Sequence, residues 1–211
     1  MKQKYFKNMS NLQCKYARRF ALCIATCMLT SCAKTSSKED NELSKLQLFG
    51  NDGTPHFIVY LSCAGQVTAE TELCWVPSKY FDQWAGERHV LVKHLHNGTT
   101  FDERLGVPVA ELVKADSRYD YRIFVRFMPI ALPSVTSEND GMGGYIAPKA
   151  GYEADLFVYS TSSGKLATRV NYHKKTDAQF KGDAVPYVKA GVQTVLTALD
   201  PAFAQNDAIG H

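Results

Sequence analysis

The first thirty-one residues are set apart from the rest by charge, and this decides how much of the chain is left to fold. They hold six basic groups (Lys2, Lys4, Lys7, Lys15, Arg18 and Arg19) and no acid. Directly after Arg18-Arg19 comes the apolar run Phe20-Ala21-Leu22-Cys23-Ile24-Ala25-Thr26-Cys27-Met28-Leu29-Thr30. A basic flank, a short apolar centre and small residues ahead of a cut mark a secretory leader rather than a folded element. As a helix the run rises only about 16 Å, half of a bilayer core, which makes it a poor permanent span. The whole chain has 24 basic and 21 acidic groups, a formal net charge of +3. Without the six leader bases, eighteen remain against twenty-one, a net of −3. No basic footprint for nucleic acid survives in such a body.

Leu29-Thr30-Ser31-Cys32 resembles the lipobox of bacterial lipoproteins, an aliphatic residue and two small residues ahead of a cysteine. The resemblance implies that the thiol of Cys32 receives a diacylglyceryl group. It also implies that the leader 1–31 is cut away and that the new amino group is acylated. Membrane lipid, reached through Cys32, is then the first partner, and two or more acyl chains hold a protein stably where one is marginal. Ala33, not an aspartate, follows. In lipoproteins of enteric type this implies sorting to the outer membrane, with the body facing the periplasm. Initiation at Met9 instead of Met1 leaves the reading unchanged.

Cys14, Cys23 and Cys27 leave with the leader, so Cys63 and Cys74 are the pair left in an oxidising compartment. They read as one disulfide across a hairpin or strand–loop–strand. Two buried thiols or a redox-active pair are the alternatives, and no Cys-x-x-Cys pattern lies near them.

Residues 33–42 contain no apolar side chain larger than alanine. The predicted organisation is a lipid-anchored flexible tether over 32–54, one body over 55–205 and a tail over 206–211. Residues 57–61 and 73–76 read as strands, 77–84 as a short helix, and 88–95 is ambiguous. A helix is predicted over 100–115 despite Pro108. Residues 121–128 alternate as a strand, and 154–159 with 166–172 flank the clearest hairpin turn, 160–164. Between them, 129–151 holds three prolines and four glycines. It reads as a long loop, or as strand extensions joined by a flexible tip. The stripe Val185, Val188, Val192, Val195, Leu196 and Leu199 predicts a helix over 183–199. The fold class expected is α/β of the α+β type, a mainly antiparallel sheet with two or three helices packed on one face. A helix, an alternating strand containing Asp120-Tyr121 and a hairpin turning at Ser163-Gly164-Lys165 resemble the small domains of CsgG-like and penicillin-binding-protein-activator accessory lipoproteins, over 101–172. That resemblance implies an assembly or activator role and supplies no catalytic residue.

Three histidines (His89, His94, His96) follow Glu87 closely. On a strand His94 and His96 share a face and are weak candidates for zinc. No His-Glu-x-x-His pattern is present, so neither a metal nor another cofactor is expected. Gly141-Met142-Gly143-Gly144 lacks the lysine of a phosphate loop, and no Gly-x-Ser-x-Gly elbow occurs. Asp116, Asp120, Glu138 and Asp140 read as solvated loop charges. Tyr145 and Tyr152, in or beside the Gly/Pro segment, are the candidate partner-binding residues if exposed, because tyrosine joins contact area to a hydrogen-bonding tip. The function expected is that of a membrane-tethered, non-catalytic binding or assembly factor of the bacterial cell envelope, with an envelope protein as partner. The alternatives are an envelope hydrolase acting on peptidoglycan or glycans, centred on the histidines, and a self-associating structural envelope protein.

Overall fold

The computed structural model describes residues 40–96, 100–102, 104–114, 117–132, 135–136, 145–146, 148–177 and 184–203. The leader, Cys32 and the 206–211 tail lie outside them. The described chain opens with a one-turn helix, α1 (Asp40–Leu43). Leu43 and Leu48 are buried in the core, and Leu46 and Phe49 pack beside them. The body therefore begins ahead of residue 55. The last part of the segment expected to be tether belongs to the core, because its apolar residues recur closely enough to bury one face.

β1 (Phe57–Cys63) buries Phe57, Ile58, Val59 and Leu61, an apolar run on both faces as a central strand requires. α2 (Thr68–Glu72) and α3 (Trp75–Arg88) carry the chain back, and β2 (Leu91–Leu95) then runs parallel to β1. A strand–helix–strand crossover imposes that direction. Residues 73–76, predicted as a strand, instead lead into α3. Pro77 sits in its first turn, where the missing N–H costs nothing, and Val76, Pro77, Phe81 and Trp84 form its buried face. α3 stops at His89, which takes the left-handed conformation (φ 55°) and gives its N–H to the carbonyl of Ala85.

The predicted helix over 100–115 is also absent. β3 (Phe101–Asp102) and β4 (Val107–Pro108) form a small hairpin, followed by a 3-10 turn at Ala110–Val113. Pro108 cannot sit inside a helix, and Gly106 between the strands adopts a positive φ of 62°.

β5 (Tyr121–Leu132) lies parallel to β1 on its other side. The chain continues through β6 (Val135–Thr136), β7 (Tyr145–Ile146), β8 (Lys149–Ser160) and β9 (Leu166–Asp177) to α4 (Val185–Leu199). The sheet order is β2-β1-β5-β8-β9. Pairings β1–β2 and β1–β5 are parallel, while β5–β8 and β8–β9 are antiparallel. The sheet is mixed and not mainly antiparallel, because the α3 crossover replaces the hairpin expected near residue 73. Of the two readings of 129–151, strand extensions fit: among the described residues there all but Pro148 are strand, with β5 and β8 paired out to Leu132 and Lys149 and β6 paired with β7 beyond. Pro129 is tolerated there because alternate residues of β5 face the β1 side, where β1 has already ended, so no ladder bond to β8 is lost.

α3 and α4 pack on one face, against Val59, Leu61, Ile123, Val125, Phe127, Leu156 and Val158. α4 buries the predicted stripe from Val188 to Leu199. Asp200 ties the two helices, accepting from Trp84 Nε1 (3.2 Å) and Arg88 Nε (2.6 Å). On the opposite face Phe101, Val107 and Leu112 cover Phe124 and Phe157.

Candidate functional site

Parallel strands expose a crevice at their carboxyl ends, the usual seat of ligands in open sheets of this kind. Here the ends of β1 and β2 carry Cys63 and Leu95. Cys63 is joined to Cys74, the residue preceding α3, with an S–S distance of 2.06 Å. The disulfide expected from the sequence is thus in place, and it fastens the first turn of α3 to the tip of β1. One helical turn apart on α3, Ser78 and Asp82 face the same crevice. Together with Cys63, Cys74, His94 and His96 they line a cleft of about 400 Å³.

The strongest contact in the cleft joins His94 Nε2 to Asp82 Oδ1 at 2.7 Å. A carboxylate accepts, so the imidazole donates from Nε2. Asp82 is 60% exposed at its side chain, and water therefore weakens the pairing. Ser78 Oγ donates to the carbonyl of Cys74 at 3.0 Å, which points its proton away from a role as nucleophile. The arrangement presents an imidazole, a carboxylate and a hydroxyl to a polar ligand. Among the described residues no group of three potential metal ligands occurs, so His94 and His96 have no completed coordination set.

The disulfide loop is held from within by Glu70, which is only 3% exposed. Its carboxylate accepts the N–H of Gln66 (2.7 Å) and of Ala131 (3.1 Å). The second of these satisfies β5 where β1 no longer reaches, so a side chain closes an edge that a strand leaves open.

Four of the residues singled out in the sequence, Cys63, Cys74, His94 and His96, meet in this cleft. Tyr152 is buried, although it borders a groove beside Met128 and Glu153. It is 6% exposed, stacks on Phe127 at 6.0 Å and fills the space that a side chain at Gly191 would occupy. The alternation of β8 turns its ring toward α4, so it does not stand exposed as the reading from the sequence required. Tyr145 lies in β7, its side chain outside the described residues, as is Cys32. Ser78 and Asp82 were missed, and their helical spacing of four is the one signal that places them on a common face.

No protein-family model matches the chain, and no curated protein does. Among solved structures the chain is similar to a Helicobacter pylori protein described as a neuraminyllactose-binding hemagglutinin homolog, at 10% identity and a TM-score of 0.38, over 74% of this chain and 89% of that one. It is also similar to Lipoprotein GNA1162 from Neisseria meningitidis, at 11% identity and a TM-score of 0.35, over 70% of this chain and 100% of that one.

Proposed function

We propose that the chain is a lipid-anchored, non-catalytic binding or assembly factor of the bacterial cell envelope, held on the periplasmic side of the outer membrane through Cys32. The observation that carries this reading is the order Arg18-Arg19, apolar run, Leu29-Thr30-Ser31-Cys32. The Cys63–Cys74 bridge supports it, since such bridges persist in oxidising compartments. Among the described residues no helix is long and apolar enough to cross a membrane, so in this reading the acyl chains do the anchoring.

The test is metabolic labelling with an alkyne fatty acid in a bacterial host. The wild-type chain takes up label and fractionates with membranes, and Cys32→Ser abolishes the label and leaves residues 1–31 attached. An unlabelled wild-type chain overturns the proposal. Crosslinking in intact cells, followed by mass spectrometry, then identifies the envelope partner.

The Asp82–His94 contact beside Ser78 favours a second reading, an envelope hydrolase. Incubation of the purified protein with peptidoglycan separates the two. Soluble fragments released by wild type and lost in His94→Ala establish the hydrolase, and none at all leaves the binding factor.

A further inference from the structure

Among the described residues, β3, β4 and the 3-10 turn cover Phe124 and Phe157 on the face of the sheet turned away from α3 and α4, with Gly106 reaching Arg126 beside them. Farther along β5, β8 and β9 the register places Met128, Glu153 and His173 in one row. Ile130, Gly151 and Lys175 form the next row of the same face. These two rows border a groove of about 400 Å³. A Cβ on Gly151 would lie 1.9 Å from the carbonyl oxygen of Lys174, so no side chain stands between Ile130 and Lys175 in that row.

The groove has three kinds of wall. Met128 and Ile130 make an apolar side along β5. Glu153 puts a carboxylate at the centre, and His173 and Lys175 put an imidazole and an ammonium along β9. Beyond the backbone ladder, the side chains of Glu153, His173 and Lys175 engage no hydrogen bond or ion pair among the described residues. Glu70, which also borders the groove, is already taken by the backbone of Gln66 and Ala131. A simple anion placed here meets Glu153, and a simple cation meets Lys175. A molecule with both charges and an apolar arm complements every wall. Successive rows lie roughly 7 Å apart along a strand, a span that the two ends of a short peptide bridge.

We propose that this groove binds a small zwitterion with an apolar side chain, an amino acid or free-ended dipeptide. Its ammonium meets Glu153, its carboxylate meets Lys175 and His173, and its side chain lies on Met128 and Ile130. This site is separate from the His94 cleft and does not depend on the function assigned to it.

Calorimetric titration of the full chain in detergent tests the proposal, with leucyl-leucine, its N-acetyl form and its C-terminal amide as probes. The free dipeptide binds, and each capped form binds at least about tenfold more weakly, as loss of one charged hydrogen bond predicts. Glu153→Gln erases the preference over the N-acetyl form, and the double change Lys175→Met/His173→Ala erases the preference over the amide. His94→Ala changes neither. Equal binding of free and capped peptides, preferences that survive in both variants, or no heat at millimolar dipeptide each overturn it. Unchanged melting temperatures of the two variants, whose side chains reach solvent, keep a folding defect from imitating the expected result.

Discussion

Asp155 sits 1% exposed on the face away from the helices, and its carboxylate accepts from three donors. Arg126 Nη2 reaches Oδ2 at 2.6 Å, while Arg169 Nη2 and Asn171 Nδ2 reach Oδ1 at 3.2 and 3.1 Å. Arg126 is itself largely enclosed, whereas Arg169 is 46% exposed. Removing the buried member of such a pair strands the other charge. Asp155→Ala is therefore expected to cost about 3–5 kcal/mol, and Arg169→Ala no more than about 1 kcal/mol. Urea unfolding midpoints check this, and similar losses for both would show that water already screens the buried carboxylate. A second residue on that face reports through pH. Burial raises the phenol of Tyr159 above its ordinary value of 10.0, so the folded state favours the neutral ring. Its contribution to stability is complete below pH ~10 and is lost as the pH rises through the folded value. Denaturant midpoints of wild type should fall between pH ~9 and ~11 by more than those of Tyr159→Phe. An identical fall in both assigns the alkaline loss to other groups.

The bridge between β1 and α3 is an element-scale device. It closes a sequence separation of 11 residues that otherwise holds α2, Gly65 and the Glu70 contacts in place. By chain entropy its removal in Cys63→Ser/Cys74→Ser should cost about 3 kcal/mol. Thermal melting with and without reductant measures it: wild type under reductant should melt with the double variant, and no difference between the forms would rule out a stabilising role. The elements on either side show what the sequence could reveal. β5, the β8–β9 hairpin and α4 were legible because each carries its own period, such as Tyr121, Ile123, Val125 and Phe127 or Val188, Val192, Val195 and Leu199. Residues 73–76 and 100–115 were not. Leu73-Cys74-Trp75-Val76 is too short to tell a strand from a helix start, and the apolar spacing of 101–113 fits a helix until Pro108 and Gly106 are given their backbone demands. The cleft divides the same way. Its cysteines and histidines stand out as residue types, but Asp82 meets His94 only because the crossover brings β2 back parallel to β1.

At the scale of the molecule, the proposed anchor and the folded body do different work, and an experiment can pull them apart. The residues that line the cleft lie between 61 and 96, so in the proposed reading the anchor would leave its geometry unchanged. What the proposed anchor would change is where the body is found. Confined to a layer at the membrane, the body would meet other envelope molecules at an effective concentration far above that of the same number of copies dispersed in the periplasm. Replacing the leader and Cys32 by a conventional secretory leader should therefore yield a released body that keeps its disulfide and its melting temperature. Its affinity for the partner found by crosslinking should be unchanged in vitro. In cells at normal copy number its crosslinking yield should drop at least about tenfold, and overproduction should restore it. An affinity lost in vitro as well would mean that the acyl chains or the first residues after Cys32 form part of the binding surface. A yield that stays low despite overproduction would mean that the membrane orients the body as well as concentrating it.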